Sequence, residues 1–425
     1  MNIPTIDLPR VVVIGAGFAG LQVAKKIDTR KYQLVIIDKN NYHTFQPLLY
    51  QVSSAGLEPD SIAYPIRKIL QKKQNAFYRL TNVECIDTQN SSIKTDIGDL
   101  TYNKLVIATG ATNNFFGNDA IAKDSLPMKS LTDALNLRSK ILGNFEKALN
   151  TTDLEKRKEL MNFVIVGAGP TGVELAGALA ELKNKILPKD FPDLDLSLMK
   201  IHLIEGADRV LAAMHKESSE RAFADLKKLG VHLWMNTSVT NYKDNLVTTN
   251  GDQSFRTDTL IWAAGVKGDF PEGITTDIGK GHRIITDDFC KVKGVENIYI
   301  LGDAGLIKSE QYPEGLPMLA AVAMQQGIYL AKIFNRLARN KEATPFVYID
   351  KGSMATIGRN KAVVEVKSFR FQGIFAWLVW MFVHLMLLVG FRNRLIVFIN
   401  WMWNYFRYNN GLRLIVRPYK NSSKT

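Results

Sequence analysis

Apolar positions along this chain come in short unbroken runs closed by glycine, a pattern with parallel-sheet character. The first run, Val11 to Ile14, leads straight into GAGFAG and a helical pattern lasting to about Ile27. A second run, Leu34 to Ile37, ends in Asp38. Strand, glycine turn, helix and strand make a βαβ opening. The opening recurs 152 residues later: Phe163 to Val166, then GAGPTG, then a helix through about Lys185. VVVIGAGFAGLQVA and FVIVGAGPTGVELA agree at every glycine and at Ala24 and Ala176. One polypeptide carrying two Rossmann-type dinucleotide folds, hence an α/β protein, is the central expectation.

Between and after these units the pattern supplies further strands that end in small-residue turns: LVIATGA (Leu105–Ala111), LIWAAGV (Leu260–Val266), and Asn297 to Leu301 followed by Gly302-Asp303. A helix is expected from about Ala320 to Arg339, a linker at Lys341–Pro345, and a β-rich piece at Val347–Val366. The longest apolar run, Ile374 to Gly390, is 17 residues broken by His384. At 1.5 Å per residue it reaches roughly 25 Å, short of a ~30 Å hydrocarbon core, so a surface-lying segment is expected over a span. These breaks divide the chain into a first dinucleotide-binding domain at 1–125 and 283–345, a second at 126–282, and a C-terminal β segment with amphipathic helices at 346–425.

Composition changes this picture in two places. The chain has 425 residues, 46% hydrophobic and 22% charged, which excludes a mainly disordered polypeptide. Two cysteines, Cys85 and Cys290, are too few and too far apart for a CxxC, a zinc cluster or a disulfide framework, so no metal is expected. The net charge of +13 is concentrated at the end: residues 367–425 hold nine Lys/Arg, no Asp or Glu, and 14 aromatics. A basic, aromatic, acid-free tail reads as an element for anionic lipid surfaces, and no nucleic-acid partner is expected. MNIPTIDLPR has no basic n-region or apolar h-region, so neither a secretory signal nor a transit peptide is expected.

The glycine motifs carry the chemistry. In each, the first glycine makes the tight turn, the second admits a pyrophosphate to the backbone and the third lets helix and strand pack closely. Gly15, Gly17 and Gly20 are followed 18 residues on by Asp38, where an acid accepts from a ribose diol. Gly167, Gly169 and Gly172 are followed by Glu205, 33 residues past Gly172, which implies an insertion near Leu182–Leu196. An acid there favours NADH over NADPH by charge repulsion, with Arg209 as the feature that opposes it. Two sites need two ligands. The early copy, to which the chain returns at Gly302 and Asp303, is assigned a tightly held, non-covalent FAD, and the later one NADH. The turn residues Thr109 and Gly110 are assigned to FAD, Ala264 and Gly265 to NADH. A helix starting near Pro317–Ala320 would favour negative charge on the flavin if it points there. Glu174, in the expected first turn of the second Rossmann helix, is either a favourable acid near a helix start or a carboxylate facing the reacting rings.

With these residues in view, the chain resembles the type II, non-electrogenic NADH:quinone oxidoreductases. The resemblance runs through VVVIGAGFAG, DKNNYHTFQPLLYQV (Asp38–Val52), IVGAGPTGVELAGALAE, WAAGV, NIYILGDAG and AVAMQQG (Ala321–Gly327). It implies two Rossmann-type domains in the manner of glutathione reductase and an amphipathic carboxy-terminal region on one leaflet. It implies FAD, NADH as donor and a membrane quinone as acceptor, without proton pumping, on the cytoplasmic face of the inner (plasma) membrane. The family's catalytic carboxylate matches Glu174. Its AQxAxQ pattern falls on Ala320–Gln325, with Gln325 as the second glutamine and Ala321 replacing the first. Gln325 is thereby assigned a quinone carbonyl, and the segment His43–Tyr50 lies where the family approaches the flavin and quinone pocket, with Gln46, Pro47 and Ala321 as lining residues. A homodimer is expected from the excess of apolar tail surface. Two other readings stay open: a soluble NADH diaphorase with another acceptor, and an FAD/NADH-responsive binding protein like the apoptosis-inducing flavoproteins.

Overall fold

The structure, a computed structural model, describes residues 1–407 and 412–415. Arg417, Lys420 and Lys424 of the basic tail lie outside the described residues. In chain order the elements that position the site begin with β1 (Arg10–Ile14), α1 (Phe18–Lys26) and β2 (Gln33–Asp38), then α2 (Leu49–Ser53), β3 (Ala76–Leu80) and β4 (Lys104–Ile107). The middle of the chain supplies β5 (Leu126–Pro127), α3 (Leu131–Leu149), β6 (Asn162–Val166), α4 (Pro170–Glu181), β7 (Lys200–Ile204), β8 (His232–Trp234) and β9 (Thr259–Trp262). The last part holds β10 (Ile298–Ile300), α5 (Ala320–Leu337), β11 (Ser353–Gly358), β12 (Lys361–Val366), β13 (Phe369–Gln372), α6 (Ile374–Leu387) and α7 (Phe391–Arg407).

Contacts divide the chain into two compact units: 1–44, 63–112 and 266–350 form the first, and 45–62, 113–265 and 351–425 the second. The first is built on a five-stranded sheet in the order β10-β4-β1-β2-β3. All of its pairings are parallel, with Val11 opposite Leu34 on one side and Lys104 on the other. After Arg10 and Lys104 its central strands are apolar because both faces are covered: Val11, Val13 and Leu34 pack with Ala19 and Val23 of α1 and Leu330 of α5, and Val12, Val35 and Leu105 with Ile86, Ile93 and Leu100. Val11, Val12, Val13, Leu105, Val106 and Ile107 are fully buried. Helix α5 crosses α1 closely because Gly327 has no side chain: a Cβ there would sit 2.3 Å from the Ala19 carbonyl oxygen.

The second unit repeats the scheme as β5-β9-β6-β7-β8, with Phe163 paired to Ile201 and Thr259. Between α4 and β7 lies the insertion implied by the spacing of Glu205. It is a π-helical turn (Leu182–Ile186), one helical turn (Leu187–Asp190) and a 3-10 turn (Leu196–Leu198). Strands β11–β13 form an antiparallel meander that starts at Ser353, later than the β-rich piece expected from Val347. Gly177 lets α4 lie directly on this meander, since a Cβ there would be 1.8 Å from the Ile357 carbonyl oxygen.

Helix α6 is 14 residues long, roughly 21 Å, and among the described residues no helix is long and apolar enough to cross a membrane. Its inner face is Ala376, Trp380 and His384, at helical spacing, while Phe375, Leu378, Phe382 and Met386 are exposed. Helix α7 buries Asn393, Val397 and Trp401 and exposes Phe391, Leu395, Phe398, Ile399, Met402, Trp403 and Phe406. It is tied to the 45–62 segment by Asn393 Nδ2 donating to the Asp60 carbonyl (3.0 Å) and Trp401 Nε1 donating to Gln51 Oε1 (2.8 Å). Arg413 is turned inward, paired with Asp190, and is only 15% exposed, so it is not among the cations offered to a surface.

Candidate active site

The two glycine loops are built alike down to individual atoms. Gly15 has φ +94° and Gly167 φ +100°, a region that favours glycine. A Cβ on Gly15 would lie 2.4 Å from the Ala108 carbonyl oxygen, and one on Gly167 2.7 Å from that of Ala263. A Cβ on Gly20 would strike the Gly15 oxygen at 1.9 Å, and one on Gly172 the Gly167 oxygen at 1.8 Å. Asp38 Oδ2 accepts from the Ala16 amide at 2.6 Å, and Glu205 Oε2 from the Ala168 amide at 2.6 Å. Their other oxygens accept from Asn40 (2.7 Å) and Ala207 (2.9 Å). The insertion before β7 therefore leaves the acid where the shorter copy has it. Burial pushes the Asp38 carboxyl up, against the pull of the two amides.

Neither Gly17 nor Gly169, at the starts of α1 and α4, has a capping side chain, so the first-turn amides stay open to a phosphate. A bare backbone, open helix N-termini and a carboxylate at the end of the next strand are the donor set of a dinucleotide site. Both loops fit one.

Around the first loop the structure assembles most of the expected FAD residues. His43 is buried and its Nδ1 donates to the Ala16 carbonyl at 2.9 Å. Burial lowers its pKa to about 4, so it is a neutral brace for the glycine turn. Thr109 Oγ1 donates to the Asp269 carbonyl, and Gly110 (φ +80°) accepts from the Asp269 amide at 3.0 Å. Gly302 (φ +67°) packs against Ala19 and Ala323, which brings Asp303 back to the first loop. Helix α5 starts at Ala320 with no side-chain cap. Gln326, which sequence reasoning passed over, is 2% exposed, and its Oε1 accepts from the Gly302 amide at 2.6 Å. Gln325 beside it is closed on the chain: Nε2 donates to the Ile349 carbonyl (2.9 Å) and Oε1 accepts from the Ile349 amide (3.0 Å). Ala321 lies half-buried on the same helix.

In the second unit, Gly265 (φ +98°) leaves room for Phe116, whose ring would be 2.9 Å from a Cβ, and Ala264 precedes it in the same turn. Glu174 is not in the first turn of its helix. Helix α4 starts at Pro170, so Glu174 belongs to the second turn, where the end charge of the helix has faded. It is 7% exposed and opens on a cavity of about 170 Å³. Tyr50 and Gln51 of α2, Ala178 and Glu181 of α4, Thr356 and Arg359 of the meander, and Trp377, Trp380, Trp401 and Tyr405 of α6 and α7 line the same space. Burial raises the Glu174 carboxyl to about 8, so it is protonated at neutral pH. The Thr356 amide, 3.4 Å from Oε1, and the Trp380 indole pull the other way. The Trp380 Nε1 nonetheless has no hydrogen-bond partner of good geometry.

The expected lining residues Gln46 and Pro47 fall one turn before Tyr50, Gln46 exposed and Pro47 half-buried. Neither lines this cavity; the next turn does. Glu181 and Trp380 were missed as partners of Glu174: Trp380 comes from a distant stretch of sequence, and the helical spacing that puts Glu181 on the Glu174 face of α4 does not by itself mark a site. Trp380 had one signal, the excess of aromatics in the tail, and Tyr50 closes the segment His43–Tyr50 that the resemblance had already placed near the pocket.

Comparison with known proteins agrees with this geometry. Residues 9–327 match the family described as pyridine nucleotide-disulphide oxidoreductase, and 351–407 match the NDH2 C-terminal domain. The chain is 35% identical to the type II NADH:quinone oxidoreductase Ndh of Mycobacterium tuberculosis, covering 96% of this chain and 91% of that protein. It is 36% identical to the second such enzyme of that organism, NdhA, over 92% of this chain and 86% of the relative. Its fold superposes on the structure of NDH2 from Plasmodium falciparum in complex with NADH with a TM-score of 0.88, at 22% identity, covering 96% of this chain and all of that one. The chain belongs to the type II NADH:quinone oxidoreductases, within the pyridine nucleotide-disulphide oxidoreductase family.

Proposed function

We propose that this chain is a non-electrogenic NADH:quinone oxidoreductase, a peripheral membrane flavoenzyme whose acceptor is reduced in the cavity beside Glu174. The observation that carries the reading is that cavity: mostly apolar, walled by the C-terminal helices, with the protonated Glu174 carboxyl inside and beside it an indole N–H that makes no hydrogen bond of good geometry. FAD, when bound, supplies the two-electron redox chemistry between NADH and a quinone. The residues that would hold it are Gly15, Gly17, Gly20, Asp38, Thr109, Gly110, Gly302 and Asp303 in the first unit, with His43 and Gln326 bracing the turns they form. Gly167, Gly169, Gly172, Glu205, Ala264 and Gly265 hold NADH in the second. Glu205 selects NADH because its carboxylate occupies the place a 2′-phosphate needs.

Within the cavity, the aromatic walls exclude water and give a quinone ring flat apolar faces. Trp380 Nε1 donates to a quinone oxygen. Glu174, neutral at working pH, gives its carboxyl proton to that oxygen as charge develops there. To Gln325 we assign the bracing of residues 346–350, since both ends of its amide are bonded to Ile349. The exposed apolar rows of α6 and α7, with Arg392, Arg394 and Arg407 near them, support docking on an anionic leaflet at the cytoplasmic face of the plasma membrane. The same surface supports a homodimer.

The test is purified holoprotein in anionic liposomes given NADH or NADPH and a ubiquinone or menaquinone analogue without oxygen. One quinol per NADH, a much weaker response to NADPH, and retained flavin are expected. NADH oxidation with no quinol formed would contradict the reading.

A further inference from the structure

We propose that Glu181 is the outer carrier of the proton that acceptor reduction consumes, recharging Glu174 through the Tyr50 hydroxyl and water in the cavity. This rests on the reading that the quinone is reduced in that cavity. The balance requires such a supply. NADH plus one proton plus quinone gives NAD⁺ plus quinol, so each turnover draws one proton from water. Glu174 is too deeply buried to take it directly.

The geometry offers one line outward. Glu174, Ala178 and Glu181 lie on one stripe of α4 and all three line the cavity. Seven residues of helix separate the two carboxyls by roughly 10 Å, a gap that side chains and two or three waters bridge. Tyr50 lies within electrostatic reach of both acids. Its hydroxyl accepts from Gln51 Nε2 at 2.8 Å, which leaves its own proton to hand on. The indole N–H of Trp380, 1% exposed, lies at the inner end within reach of the Glu174 carboxyl but makes no hydrogen bond of good geometry.

Glu181 has the features of an entry residue. It is less buried than Glu174, and Oε1 is fixed by the Arg359 amide. Gly358 makes space for it: a Cβ there would come within 2.8 Å of Oε1. The groups that face it are Arg359, Lys361, Lys185 and, from α2, Tyr50; those that face Glu174 are Tyr50, Thr356 and Trp380. Burial pushes the Glu181 carboxyl up, while the Arg359 amide and the three cations hold it down. The helix turns π immediately after it, and Leu182 and Ile186 of that turn line the cavity too. Such a widened turn is frequent at functional sites.

The experiment compares wild type, Glu181→Gln, Glu181→Asp and Ala178→Met as FAD-loaded protein in liposomes. Glu181→Gln should reduce quinone at least about tenfold more slowly at pH 8. The rate should recover toward wild type as pH falls or when formate is added as a diffusible carrier, with Glu181→Asp intermediate. Reduction of ferricyanide, which takes up no proton, should not follow that loss. Without NADH or quinone, the pH titration of the infrared carboxyl bands should lose one component in Glu181→Gln. A wild-type quinone rate and pH profile in Glu181→Gln, or an equal loss with ferricyanide, overturns the relay. Ala178→Met separates the two claims, because it narrows the cavity. If it abolishes quinone reduction while Glu181→Gln does not, the relay alone fails; if quinone reduction survives it, the cavity reading fails.

Discussion

Glu174 concentrates the physical argument at the scale of one residue. A carboxyl in an apolar cavity keeps its proton, and the fold must therefore bind that proton more tightly than the unfolded chain does. The folded value of about 8 lies above the ordinary 4.5, so its stabilising contribution is full below about pH 4.5 and is lost as pH rises through 8. Replacing Glu174 by Gln removes this dependence. Between pH 5 and 8 the variant should gain stability relative to wild type, by up to about 1.4 kcal/mol per pH unit, in denaturant titrations at each pH. Glu181 titrates in the same sense, so wild-type stability keeps part of its slope in the variant. Parallel curves for the two proteins would mean that Glu174 is ionised throughout. The same variant should keep its FAD, since Glu174 belongs to neither glycine loop, while quinone reduction slows about 10²-fold.

Among the elements, α4 has the most tasks. Its start presents amides to a dinucleotide, its second turn carries Glu174, and its middle lies bare against the meander at Gly177. Gly177→Ala would drive a methyl into the Ile357 carbonyl and push β11 away, carrying Thr356 off the Glu174 carboxyl. Overpacking of this kind costs about 1–3 kcal/mol. A lower melting temperature should appear together with impaired quinone reduction, while NADH binding, read by equilibrium titration, stays close to wild type. An unchanged melting temperature would show that α4 and β11 part without cost. Both glycine loops were legible in the sequence because GxGxxG with a strand before, a helix after and an acid beyond is a local pattern. The insertion before Glu205 was legible for the same reason, as a count of residues. The first turn of α4 was misjudged by a few residues because Pro170 opens the helix earlier than the periodicity suggests.

For the whole molecule, the C-terminal helices have two faces and two jobs. Their outer rows, Phe375, Phe382, Phe391, Trp403 and Phe406 among them, are exposed apolar surface. Their inner rows, Trp380 and Trp401 above all, wall the cavity. The tail announced the outer face by its composition. The inner face was not legible, since Trp380 meets Tyr50 and Glu174 only through long-range packing, and the bonding of the Gln325 amide to Ile349 has no signal in the sequence. Deleting 367–425 would remove anchor and cavity wall together, so it cannot separate membrane docking from acceptor binding. The most direct measurement is photolabelling of the holoprotein in liposomes with an azidoquinone, followed by peptide mapping. The account predicts label on Tyr50–Gly56, Trp377–Met381 and Trp401–Tyr405, lost when excess quinone competes. Competable label confined to Ala321–Gln325, with none on the cavity walls, would contradict it.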